Sequence, residues 1–174
     1  MKRLRIMDIL QDVSAIKDKG IKYINSDSDE VFVPYDEMHR EVLGVLHYLQ
    51  EKGLKKGDEL IFQIEDNRTF VTTFWACIMG GIVPAIVSIV NNDELRMQLL
   101  RIWKTLEKPH LFASGKIFVN LEKCANDIGN LEFIELIKEI KTKSIFSEEL
   151  KISDEAGTIY IPELSDTNLT LILL

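Results

Sequence analysis

The stretch Ile82 to Val90 constrains the fold more than any other part of the chain. It follows a glycine pair, Gly80-Gly81, and runs with almost no alternation of polar and apolar side chains. A strand open to water on one face alternates. One that does not alternate is covered on both faces, as in a parallel sheet sandwiched by helices. The neighbouring segments agree. Leu60 to Ile64 reads as a short core strand. Arg68 to Met79, with Asn67 as N-cap, reads as a helix whose apolar residues Phe70, Val71, Phe74, Trp75, Cys77 and Ile78 spread over a wide stripe. Asn91-Asn92-Asp93 can cap a further helix bearing Leu95, Leu99, Ile102, Trp103 and Leu106. Pro109 breaks that helix, and His110 to Ala113 follows as a strand. Strands alternating with helices in this order predict a doubly wound, mostly parallel α/β sheet with helices on both faces.

The flanking regions fill in the rest. Residues 4 to 16 carry apolar side chains at mostly helical spacing, and Gly20 ends that stretch. Ile21 to Ile24 and Val31 to Val33 read as a hairpin around the turn Asn25-Ser26-Asp27-Ser28-Asp29. Tyr35 to Gln50 is the clearest helix, with Tyr35, Met38, Val42, Val45, Leu46 and Leu49 on one face and Gly53 just past its end. Two helices are expected after Gly115, the second around Phe133 to Ile140. Ile145-Phe146 and Thr158 to Ile161 are candidate short strands, Asp166-Thr167-Asn168 a turn, and Leu169 to Leu174 a buried strand. The expected organisation is one incomplete subdomain over 1–174, with an N-terminal helix and hairpin in 1–34 and the α/β part in 35–174.

Composition narrows the partners. Hydrophobic residues at 46% and charged residues at 28% are the balance of a globular chain, not a disordered one. A net charge of −7 argues against nucleic acid and against an anionic membrane surface as partners. Cys77 and Cys124 form no CxxC pair and no metal spacing, and two free buried thiols suit a reducing cytoplasm. The basic start, Met1 to Arg5, meets Asp8 before any apolar core forms, unlike a signal peptide.

Standard catalytic motifs are missing. No two glycines are two apart, so the chain has no G-x-G dinucleotide loop, and it has neither a G-x-x-x-x-G-K-[ST] phosphate loop nor a G-x-S-x-G elbow. His39, His47 and His110 lack metal-ligand spacing, and the first two are read as lying on the polar side of their helix. Lys52, Lys55 and Lys56 are read as a solvated helix end, and Trp75 and Trp103 as core residues. No residue is nominated as catalytic, cofactor-binding or metal-binding.

A resemblance adds to this. Tyr35-Asp36-Glu37-Met38, Leu46 and Gly53-Leu54-Lys55-Lys56-Gly57-Asp58-Glu59-Leu60 resemble the opening of the adenylate-forming (AMP-binding) superfamily. Asn67, Phe70-Val71 and Phe74-Trp75-Ala76-Cys77-Ile78-Met79-Gly80-Gly81-Ile82-Val83-Pro84 resemble its next block. The likeness is specific over residues 33 to 90, loose over 93 to 114 and nearly absent over 115 to 165. Two departures stand out. Pro34 occupies the place of the usual Ser or Thr, so Glu37 has no reciprocal capping box. Ala85-Ile86-Val87-Ser88 replaces the Leu-Asp-Pro-type turn, which points toward the fatty-acyl or synthetase-linked ligases.

The resemblance implies an enzyme that activates a carboxylic acid with ATP and Mg²⁺ and passes the acyl group to phosphopantetheine, on a carrier protein or in coenzyme A. A nonribosomal peptide or polyketide synthetase is one such setting. In that superfamily a pattern like Asp166 to Leu174 leads into the Thr/Ser/Gly-rich loop that holds the ATP phosphates. The chain is therefore expected to be an N-terminal piece of a larger enzyme. Alone it is expected to be inactive, to bind none of these cofactors tightly and to self-associate, with the rest of the adenylation domain as its natural partner. The competing expectation is a freestanding α/β binding module without nucleotide chemistry.

Overall fold

A computed structural model describes residues 6–26, 29–90, 92–150, 159–161 and 172–173. The expected tip of the hairpin turn, Asp27-Ser28, lies outside the described residues, as do the turn at 166–168 and most of the strand placed over 169–174.

The chain opens with α1 (Ile6–Ser14), β1 (Gly20–Ser26) and β2 (Asp29–Pro34). The two strands form the expected antiparallel hairpin, with Ile21 opposite Val33 and Tyr23 opposite Val31. Tyr23 and Val33 point into the core, while Ile24 and Phe32 face water. Next comes α2 (Tyr35–Glu51), which buries Met38, Val42, Val45, Leu46 and Leu49 as its periodicity predicts. No side chain caps its start at Pro34, and Glu37 turns instead to Arg68. Gly53, at φ 93, reverses the chain after the helix.

The α/β part continues with β3 (Glu59–Gln63), α3 (Asn67–Gly80), β4 (Val83–Ile86), α4 (Asp93–Thr105), β5 (Pro109–Ala113), α5 (Gly115–Ile128), α6 (Leu131–Thr142), β6 (Ser144–Phe146) and β7 (Ile172–Leu173). The sheet order is β6-β5-β3-β4-β7, and every neighbouring pair is parallel. Alternate residues of the strands divide between two apolar layers. Leu60, Phe62, Phe112 and Ile145 pack with α1, α2 and α3. Ile61, Ala85, Leu111 and Ala113 pack with α4, α5 and α6. Helices cover both faces, which is why the central strands show so little polar alternation.

Local chemistry sets the boundaries. Asp66, not Asn67, is the N-cap of α3. Its extended backbone lets the carboxylate accept from the Thr69 N–H at 2.7 Å, while Asn67 is already helical. Gly81 takes the left-handed conformation at φ 66 that ends α3. Gly80 lets α2 approach closely, since a Cβ there would lie 2.5 Å from Leu46 Cδ1. The Gly57 N–H donates to the Gly81 carbonyl at 2.9 Å, and the Val83 N–H to the Asp58 carbonyl at 2.8 Å. These bonds join the turn before β3 to the turn before β4 and set the two strands in register.

Two further expectations need correction. The strand over Ile82 to Val90 ends at Ile86, because the Ser88 carbonyl and the Val90 N–H turn to the side chain of Gln63. The described part of Thr158 to Ile161 is not a strand. The N–H and carbonyl of Tyr160 pair with the side-chain amide of Gln50, at 3.0 and 2.6 Å, rather than with a neighbouring strand. His39 and His47 on α2 are half-buried, and burial holds the His39 imidazole pKa below its ordinary value. Both cysteines are buried, and burial raises each thiol, that of Cys124 with help from Asp93.

Candidate functional site

In a doubly wound sheet, ligands bind outside the carboxyl ends of the strands where the strand order reverses. Here the reversal falls between β3 and β5. The chain leaving β3 crosses through α3 on one face to reach β4. It then returns through α4 on the other face to place β5 on the opposite side of β3. The connections leaving β3 and β5 diverge to opposite faces and open a crevice of about 460 Å³.

Glu65, Asp66 and Thr69 form the β3–α3 wall of this crevice. Ser114 and Ile117 form the β5–α5 wall, and Ser147 and Glu148 follow β6. Two of the three carboxylates among its described residues serve as caps. Asp66 Oδ2 accepts from both the amide and the hydroxyl of Thr69, each at 2.7 Å. Glu148 Oε1 accepts from the Gly115 N–H at 2.9 Å, at the start of α5. Its carboxyl is held below the usual range by hydrogen bonds from its own backbone amide and from that of Gly115. Among the described residues, no Lys or Arg lines the crevice.

The described lining therefore does not fit a triphosphate, because its carboxylates repel it and no described Lys or Arg lines the crevice. Among the described residues, no three His, Cys, Asp or Glu side chains come together to hold a metal ion. No step of phosphate or Mg²⁺ chemistry is assigned to these side chains.

The residues weighed in the sequence lie elsewhere. His47 sits 3.6 Å from Glu51 on α2, and His110 lies in β5 with Nδ1 3.2 Å from the Lys108 carbonyl. Lys52 does more than end a helix, since it pairs with Glu149 at 2.6 Å and lies over the Tyr48 ring. That pair ties the end of α2 to the turn following β6. Trp103 is buried and Trp75 is half-buried against the core, as core residues should be.

Gln63 was not singled out in the sequence, although a lone amide within Leu60-Ile61-Phe62-Gln63-Ile64 is a visible signal. It borders the crevice and is 3% exposed. Its Nε2 donates to the Phe62 and Ser88 carbonyls, both at 3.0 Å, and its Oε1 accepts from the Val90 N–H at 2.9 Å. Among the described residues, no helix is long and apolar enough to cross a membrane.

No protein-family model matches the chain. Solved structures do. The structure of the McyG A-PCP complexed with phenylalanyl-adenylate matches with a TM-score of 0.78 at 25% identity, over 99% of this chain and 30% of that one. The adenylation domain of a keto acid-selecting NRPS module, bound to keto acyl adenylate, matches with a TM-score of 0.68 at 26% identity, over 90% of this chain and 28% of that one. The fatty acyl-adenylate ligase of L. pneumophila, in complex with acyl adenylate and pyrophosphate, shares the fold. Its TM-score is 0.63 at 14% identity, over 85% of this chain and 24% of that one. The chain thus spans under a third of the length of each of these proteins.

Proposed function

From this relation to the adenylate-forming superfamily, we propose that the chain is the N-terminal α/β part of an ATP-dependent carboxylate-activating enzyme. Supporting this most is the match over 99% of the chain to a protein complexed with phenylalanyl-adenylate. In the proposed reaction, a carboxylate oxygen attacks the α-phosphorus of ATP. The bond to the leaving pyrophosphate breaks and an acyl-adenylate forms. A thiol then attacks the acyl carbon and releases AMP. Mg²⁺ would neutralise charge on the phosphates.

The proposed acceptor is the phosphopantetheine of a carrier protein, in a synthetase of the nonribosomal peptide type. The carrier-linked form of the first neighbour supports that choice over coenzyme A. This chain supplies the parallel sheet and one wall of the site. In this reading the phosphate-binding groups come from residues other than those described here, which the acidic described lining of the crevice supports.

Acid-dependent exchange of labelled pyrophosphate into ATP tests the proposal. The native assembly that contains this chain is expected to show exchange with at least one acid of a broad panel. The 174 residues alone are expected to show none. Exchange by the 174 residues alone, or no exchange by the assembly with any acid, contradicts the proposal. The second outcome favours a binding module.

A further inference from the structure

Two adjacent carboxylates on the short helical turn after β6, Ser147–Glu149, reach to opposite layers of the molecule. Glu148 Oε1 accepts from the Gly115 N–H at the start of α5, at 2.9 Å. Glu149 Oε2 accepts from Lys52 Nζ at the end of α2, at 2.6 Å. α5 packs in one apolar layer of the sheet and α2 in the other. The turn therefore bridges both layers just past the edge strand β6. The same segment lines the crevice through Ser147, Glu148 and Leu150.

The bridge is lightly fastened. Among the described residues, the backbone of 147–150 bonds to no other element, and the Leu150 N–H donates within the segment, to the Ser147 carbonyl at 3.2 Å. The Lys52–Glu149 pair is half-exposed, and pairs of that kind hold weakly. Leu150 is only partly buried against the α2 layer. The facing walls instead begin the 14-residue helices α3 and α5. β6 is also better held than the turn that follows it. Phe146 pairs with Ala113, its ring lies 5.2 Å from that of Phe118, and its carbonyl accepts from the Tyr48 hydroxyl at 3.4 Å. The chain can thus hinge after Phe146 and leave the sheet intact. Segments with so few buried contacts open locally at far less cost than the whole fold. The Glu148 carboxylate favours return, because a negative charge is stabilised at the amino end of α5.

We propose that residues 147–150 form a strap that gates the β6 side of the crevice. It is closed when Glu148 sits at the start of α5 and Glu149 on Lys52, and it opens when both contacts let go together. The gate stands on this geometry alone and serves any ligand that the crevice takes.

The decisive experiment changes the α2 contact and reads the α5 side, in the native assembly. Ile117 lines the crevice and is buried, so Ile117→Cys supplies a thiol whose labelling by a small maleimide reports opening. Cys77 and Cys124 are buried and report global unfolding. Lys52→Glu and Glu149→Lys each set like charges together at the end of α2. Each should speed labelling at position 117 and hydrogen exchange of the Gly115 amide by about threefold or more, although neither changed residue touches α5. Labelling of Cys77 and Cys124 should not change. The combined swap, Lys52→Glu with Glu149→Lys, should bring both α5 readouts back below that threshold. Single variants that leave both readouts below it overturn the strap, since the two contacts would then act independently. A swap that fails to restore them overturns it as well. If Ile117→Cys does not fold, exchange of the Gly115 amide in the otherwise unchanged chain decides.

Discussion

Replacing Phe62 with alanine should cost about 3–5 kcal/mol of unfolding free energy, the range for emptying a large aromatic site in a core that only partly relaxes. Phe62 lies on the central strand β3, between Ile86 of β4 and Phe112 of β5, and is 1% exposed. Its ring meets Phe70 of α3 edge-on, with centroids 5.5 Å apart. The substitution removes a ring contact between α3 and the sheet as well as apolar area. The loss is a large share of the stability of a typical domain. It should appear as a lower denaturant midpoint with little change in slope. Phe32→Ala, on the solvent face of the hairpin, is the control and should shift stability by no more than about 0.5 kcal/mol. A Phe62→Ala loss below about 1 kcal/mol would contradict the placement of β3 at the centre of the sheet.

Gly20→Ala is the second large effect, and it acts through backbone. Gly20 pairs with Pro34 where the hairpin meets α2. A Cβ there would lie 2.1 Å from the Val33 carbonyl oxygen and 2.8 Å from Pro34 Cα. Neither atom can swing away like the end of a side chain, so the strands must part. Overpacking of this kind costs about 1–3 kcal/mol, sometimes more. The damage should be local at first, with faster amide exchange in β1 and β2 and a smaller change in β3. At Gly80, by contrast, the close atom is the end of the Leu46 side chain, which can move. Gly80→Ala should therefore cost less than Gly20→Ala, and the reverse order in denaturant melts would contradict the assignment.

The parallel sheet was legible because burial on both faces leaves a direct mark on composition. The helices α2, α3 and α4 were legible because each carries one apolar stripe between recognisable end signals. What the sequence concealed were side-chain to backbone bonds that compete with the ladder. Val87 to Val90 reads as strand by composition, yet the amide of Gln63, 27 residues before Val90, draws the chain off the sheet. Residues 159–161 read as strand for the same reason, yet Gln50 supplies both of Tyr160's backbone bonds from 110 residues away. The cap of α3 was misplaced by one residue because Asp66 and Asn67 are both good capping types, and only the backbone angles separate them.

The candidate site was less legible than the fold. Its walls come from three strand ends that meet only through the sheet order, and no local motif marks them. Asp66 and Glu148 would count as an acidic pair in any list of site residues, but their hydrogen bonds show them capping α3 and α5.

Oxygen labelling tests the central claim most directly. The native assembly is supplied with ATP, an acceptor thiol and a carboxylic acid whose carboxylate oxygens are both ¹⁸O. If the acid attacks the α-phosphorus and the thiol later attacks the acyl carbon, one labelled oxygen must stay on phosphorus, and the AMP produced carries a single ¹⁸O. The account predicts that label in AMP, in step with thioester formation. Label in inorganic phosphate, or product formed with unlabelled AMP, would contradict it.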